Sequence, residues 1–88
     1  MIRHRVTVSG RVQGVFFRDT CQRVATAHGV GGWVRNLPDG RVEAVFEGSD
    51  DDVRRLVDWM RHGPAGAAVQ DVAVQPEPPE GLRSFDIR

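Results

Sequence analysis

Apolar and polar residues alternate from the start of the chain. Ile2, His4, Val6 and Val8 fall on one side of an extended segment, and Arg3, Arg5, Thr7 and Ser9 on the other. This predicts a first strand with one buried face. After a glycine-containing stretch the period changes to a helical one. Phe17, Cys21, Val24, Ala25 and His28 share one stripe, so a helix is expected from about Phe17 to His28, ended by Gly29. Val30 to Leu37 and Arg41 to Glu47 read as two more strands, with Val42, Ala44 and Phe46 on one face. Between them Pro38-Asp39-Gly40 is a turn, because proline sets its own φ and Asp-Gly accepts tight angles. Ser49 is suited to cap a second helix, with Asp52 three residues on and acidic residues in its first turn. That helix is expected over about Asp50 to His62, burying Val53, Leu56, Val57 and Met60, with Gly63-Pro64 as its stop. Val69 to Val74 alternates again, Pro76 to Gly81 is a proline-rich loop, and Phe85 to Arg88 reads as a short last strand.

The order strand, helix, strand, strand, helix, strand is that of two split βαβ halves. It predicts an α+β, ferredoxin-like βαββαβ sandwich: an antiparallel sheet with both helices on one face. The 88 residues carry no linker, repeat or low-complexity tract, so a single domain over 1–88 is expected. This architecture serves many functions and assigns none by itself.

Composition narrows the choice. Formal net charge is zero, so no overall field attracts nucleic acid or acidic membranes. All twelve basic side chains are arginine, so any grip on an anion must use arginine or backbone N–H groups. The single cysteine, Cys21, excludes an internal disulfide, and its place on the apolar helix stripe points it into the core. The three histidines sit in different elements without ligand spacing, and Asp50, Asp51 and Asp52 read as a charged first helical turn; no metal site is expected. A metal carrier of this fold would want Cys-x-x-Cys after the first strand, and an RNA-binding sheet would want exposed aromatics on its central strands. No apolar run approaches the roughly 20 residues of a membrane span, and the charged N-terminus has no signal-peptide apolar segment. A cytoplasmic protein is the resulting expectation.

The candidate chemistry lies in Gly10-Arg11-Val12-Gln13-Gly14-Val15-Phe16-Phe17-Arg18, where the first strand runs into the first helix. Gly14 allows backbone angles that turn successive N–H groups onto one anion, and the helix start adds partial positive charge. Arg18, in the first helical turn, can meet two phosphate oxygens with its fork. The same letters also fit a plain glycine turn followed by a surface arginine. A second constellation is Gly32-Trp33-Val34-Arg35-Asn36. The first two strands run parallel in this topology, so Asn36 arrives at the sheet edge that carries the glycine loop. Its amide could hold a water there or serve the adjacent turn. Trp33 either covers the sheet or packs.

These two motifs, with Asp39-Gly40-Arg41-Val42-Glu43, Gly63-Pro64 and the strand containing Phe85, resemble the acylphosphatase family along essentially the whole chain. The resemblance implies hydrolysis of the carboxyl–phosphate bond of acyl phosphates by in-line attack of water, without metal, cofactor or covalent intermediate. It matches Arg18 to the arginine that binds the phosphoryl group and Asn36 to the asparagine that orients the water. The backbone of Gln13, Gly14, Val15, Phe16, Phe17 and Arg18 matches the phosphate-binding loop. Many members of the family carry glycine where Phe16 stands; ordinary backbone angles at Phe16 would still leave its N–H as a donor. Thr20 is a candidate support for Arg18 or the water. The expected ligands are a small-molecule acyl phosphate, and inorganic phosphate or sulfate as competitors, on a monomer that needs neither nucleic acid nor membrane. The alternative is a non-catalytic module that binds acyl or carbamoyl phosphate.

Overall fold

A computed structural model describes residues 1–88, and its elements follow the periodicities of the chain. They are β1 (Ile2–Arg11), α1 (Phe17–Ala27), β2 (Gly31–Asn36), β3 (Val42–Gly48), α2 (Asp50–Met60), β4 (Ala68–Glu77) and β5 (Phe85–Ile87). The sheet order is β4-β1-β3-β2-β5. The first four strands pair antiparallel in the ferredoxin-like manner, whereas β5 joins β2 in parallel, so the sheet is mixed at that edge. The wholly antiparallel expectation changes there because the chain reaches the edge after a loop and not through a hairpin. β4 runs past the expected Val74 to Glu77 and includes Pro76, which an edge strand tolerates.

Both helices lie on one face. α1 packs on β2 and β5, and α2 on β1 and β3. Between helices and sheet sit Val6, Val8 and Val12, Val34, Val42, Ala44 and Phe46, with Phe17, Cys21, Leu56 and Met60 from the helices. Burying each large aliphatic or aromatic side chain here is worth about 1.5–3 kcal/mol, which is what turns the alternation into a sheet with a defined inside. Phe46 stacks on Phe85 at 5.6 Å, and Phe17 meets Trp59 edge-on at 5.2 Å. α2 begins at Ser49, whose Oγ accepts from the Asp52 N–H at 3.3 Å and donates to Asp52 Oδ2 at 3.0 Å.

The face without helices is also covered. Trp33 lies there almost fully buried, with the guanidinium groups of Arg5, Arg35 and Arg88 at 5.4, 5.1 and 5.1 Å from its ring centre. Arg3, on the polar side of the β1 alternation, is only 3% exposed. It pairs with Glu47 at 2.7 Å, Glu77 at 3.0 Å and Glu80 at 3.1 Å. Glu47 also accepts the N–H groups of Glu80, Gly81 and Leu82, at 3.1, 2.9 and 3.3 Å, which ties the loop before β5 across the sheet. No helix is long and apolar enough to cross a membrane.

Candidate active site

β1 loses its register with β4 between Ser9 and Gly10, and the chain then leaves the sheet for the loop that opens α1. Gly14 takes φ 75° and Phe16 takes φ 60°. Left-handed residues spaced by an ordinary one turn successive N–H groups to one side. The N–H groups of Gln13, Gly14, Val15 and Phe16 donate to no backbone acceptor, and the first bond of the helix is Thr20 N–H to Phe16 O at 3.1 Å. No side chain caps α1 either. The first-turn donors and the loop donors are therefore uncommitted at the positive end of a helix.

Phe16 corrects an expectation. Its angles are not ordinary: it adopts the left-handed conformation that glycine takes freely, a costly choice for an aromatic residue. Thr20 has a partner within the loop. Its hydroxyl donates to Phe16 O at 2.9 Å and so braces the loop.

The loop faces a cavity of about 420 Å³ lined by Gln13, Gly14, Phe16, Arg18 and Asn36, together with Val12, Phe17, Asp19 and Ile87. Of the loop residues singled out in the sequence, Val15 does not line it and packs against the core instead. Arg18 pairs with no carboxylate, unlike Arg3, Arg5, Arg35, Arg41 and Arg61. Asn36 reaches the cavity from the end of β2, and its Oδ1 is buried without a hydrogen-bond donor. A buried carbonyl oxygen left without a partner is rare and calls for an explanation.

Sequence reasoning missed three features. The Gln13 side chain has a fastening role of its own: its Nε2 donates to Leu37 O at 2.9 Å and Arg41 O at 3.0 Å. Those carbonyls flank the neck of the β2–β3 turn, closed by Leu37 N–H to Arg41 O at 2.8 Å, so Gln13 fastens the loop to the hairpin that carries Asn36. Ile87 reaches the cavity because β5 runs parallel to β2, with Val34 opposite Ile87; no periodicity in three residues could have signalled this. Asp19 is the one carboxylate of the lining and is exposed.

Cys21 is fully buried, and desolvation pushes its thiol far up, which keeps it protonated and unreactive. No group of three His, Cys, Asp or Glu side chains stands where it could hold a metal ion.

Comparison with known proteins adds the following. A family model described as Acylphosphatase matches residues 4–87. An acylphosphatase of Trichormus variabilis is 58% identical over 88 residues, covering 100% of this chain and 87% of that protein. Two crystal structures are similar throughout. An acylphosphatase from Bacillus subtilis superposes with a TM-score of 0.96 at 37% identity, covering 100% of this chain and 99% of its own. One from Coxiella burnetii gives 0.94 at 40% identity, covering 99% and 92%.

Proposed function

The chain belongs to the acylphosphatase family and hydrolyses the carboxyl–phosphate bond of acyl phosphates, and we propose that it does so with Arg18, Asn36 and the Gln13–Arg18 backbone alone, without a metal. The observation that carries this reading is the pairing of uncommitted groups across one cavity. Donors stand on the loop side, and the unpartnered Asn36 oxygen stands on the β2 side.

The phosphoryl group enters first. Arg18 and the loop N–H groups meet its oxygens and stay in place as charge moves onto the leaving carboxylate. Asn36 Oδ1 accepts a hydrogen bond from a water and holds it in line with the scissile bond. The water oxygen forms the new P–O bond, and the P–O bond to the acyl group breaks with its electron pair on the carboxylate. The proton passes to a phosphate oxygen. Carboxylate leaves readily, so the reaction needs positioning and charge stabilisation more than a strong acid or base. Every group invoked comes from one chain, which supports a competent monomer. Inorganic phosphate or sulfate, meeting the same donors, competes with substrate.

The test is benzoyl phosphate hydrolysis with and without a chelator, by wild type and Asn36→Ala. Loss of one preorganised contact to a reacting group costs about 2.7–4 kcal/mol of barrier, so turnover falls roughly a hundred- to a thousandfold. Inorganic phosphate still inhibits the variant. Near-normal turnover in folded Asn36→Ala removes the water-holding role, and activity abolished by the chelator removes the metal-free one.

A further inference from the structure

We infer that the favoured acyl group is uncharged and apolar, and that Phe16 and Ile87 select it. This rests on the phosphate-first orientation proposed above. Phe16 is 78% exposed and Ile87 37% exposed, yet both line the same cavity as Arg18 and Asn36. At about 420 Å³ that cavity has room for more than a phosphoryl group. It falls within the range of sites that hold whole small ligands, about 300–1,000 Å³.

Phe16 is the informative residue. Its backbone is left-handed, at φ 60°, where a glycine would sit without strain. Its ring gains little from the fold, since most of it remains in solvent. A side chain held in a strained conformation with so little packing in return points to a use outside folding. The ionic groups complete the argument. The lining carries one cation, Arg18, taken up by the phosphate, and one anion, Asp19. A second negative charge on the acyl chain would find no free cation in the lining and would face Asp19. A phenyl or branched alkyl group would instead cover the Phe16 ring and the Ile87 side chain and remove both from water.

The experiment compares kcat and KM for benzoyl, acetyl and succinyl phosphate in wild type, Phe16→Gly and Ile87→Ala. Glycine retains the left-handed angle while deleting the ring. Wild type is expected to favour benzoyl over acetyl phosphate, and acetyl over succinyl phosphate. Phe16→Gly lowers the benzoyl-to-acetyl ratio of kcat/KM by about tenfold, mainly through the benzoyl KM, as suits one apolar contact on an open rim. Ile87→Ala shifts the ratio the same way by less. A ratio unchanged in both variants, or a wild-type preference for succinyl phosphate, overturns the inference while leaving hydrolysis intact. The inhibition constant of inorganic phosphate is read alongside: if it weakens in step with the benzoyl KM, the loop has been disturbed and the selective role of Phe16 falls. Wild type that turns over none of the three substrates defeats the hydrolytic reading itself, a separate result.

Discussion

The loop around Gly81 and the loop around Gly14 are built alike. Each has a left-handed glycine, at φ 87° and φ 75°, and each presents several successive backbone N–H groups. In the first, the N–H groups of Glu80, Gly81 and Leu82 close on the Glu47 carboxylate, whose other oxygen takes Arg3 at 2.7 Å. In the second, the N–H groups of Gln13 to Phe16 meet no acceptor of the chain, and Arg18 stands beside them without a carboxylate. The same backbone device serves folding where the protein supplies the anion, and where it does not, its donors are left free for the phosphoryl group of the proposed reaction. Burial alone would push Glu47 up. The Arg3 guanidinium and the N–H groups of Gly81, Glu80 and Leu82 outweigh that and hold its carboxyl below the usual range.

This contrast can be broken in a graded way. Its largest expected effect is Glu47→Ala, which strands Arg3 and three N–H groups. Removing one partner of a buried pair costs about 3–5 kcal/mol, so urea denaturation should show a large part of the stability gone. A loss under about 1 kcal/mol would mean that the Gly81 loop does not depend on its anion. Arg18→Ala should give the reverse split. Stability stays within about 0.5 kcal/mol, as for a substitution outside the core. Meanwhile kcat/KM falls by about 2.7–4 kcal/mol in transition-state terms, and inorganic phosphate inhibits less. An unchanged inhibition constant takes Arg18 out of the cradle.

The glycines sharpen the comparison at a smaller scale. A side chain in the left-handed region costs about 1–2 kcal/mol. Gly81→Ala should show this in the unfolding midpoint, because Glu47 holds the loop in place. A Cβ would meet nothing within 4 Å at either glycine, but no acceptor of the chain holds the N–H groups around Gly14. Gly14→Ala can therefore relax its angles, and the change should appear mainly as weaker phosphate inhibition. Equal destabilisation by both would erase the distinction.

The smallest effect is the pH slope. The carboxyls of Glu47 and Glu77 are both held below the usual glutamate range, Glu77 through its hydrogen bonds from Arg5 and Arg3. A depressed carboxyl stabilises the fold above its unfolded pKa and loses that contribution as pH falls through the lower folded one. Stability should be flat down to about pH 5 and then decline by at most about 1.4 kcal/mol per pH unit for each proton taken up. Unfolding midpoints measured from pH 6 to pH 2 check this, and Glu47→Gln should flatten the decline.

Much of the scaffold was legible in the letters. β1, α1, β3 and α2 each repeat apolar residues at one period, and that period is a local property of the backbone. The neutral charge and the Gln13–Arg18 and Asn36 motifs carried the choice of chemistry and family. Other features were not local. Arg3 reads as a solvent-facing strand residue, but it is paired with Glu47 and Glu77, residues opposite it on the two neighbouring strands. Gln13 reads as a loop residue, but its amide fastens the loop to the β2–β3 turn, 24 and 28 residues away. Ile87 joins the cavity only through the parallel β5–β2 register.

The sequence by itself determined which segments are helix and strand, which side chains form the core, and which residues are candidates to grip a phosphate. Those follow from the periods of the chain and the chemistry of single side chains. Only the tertiary structure decided that Phe16 is left-handed, that the Asn36 oxygen is left unpartnered, and that one glycine-centred turn closes on Glu47 while the other faces a cavity. Those depend on which groups meet after strands far apart in the chain have paired, and strand pairing is set by the packing of the whole sheet against its helices.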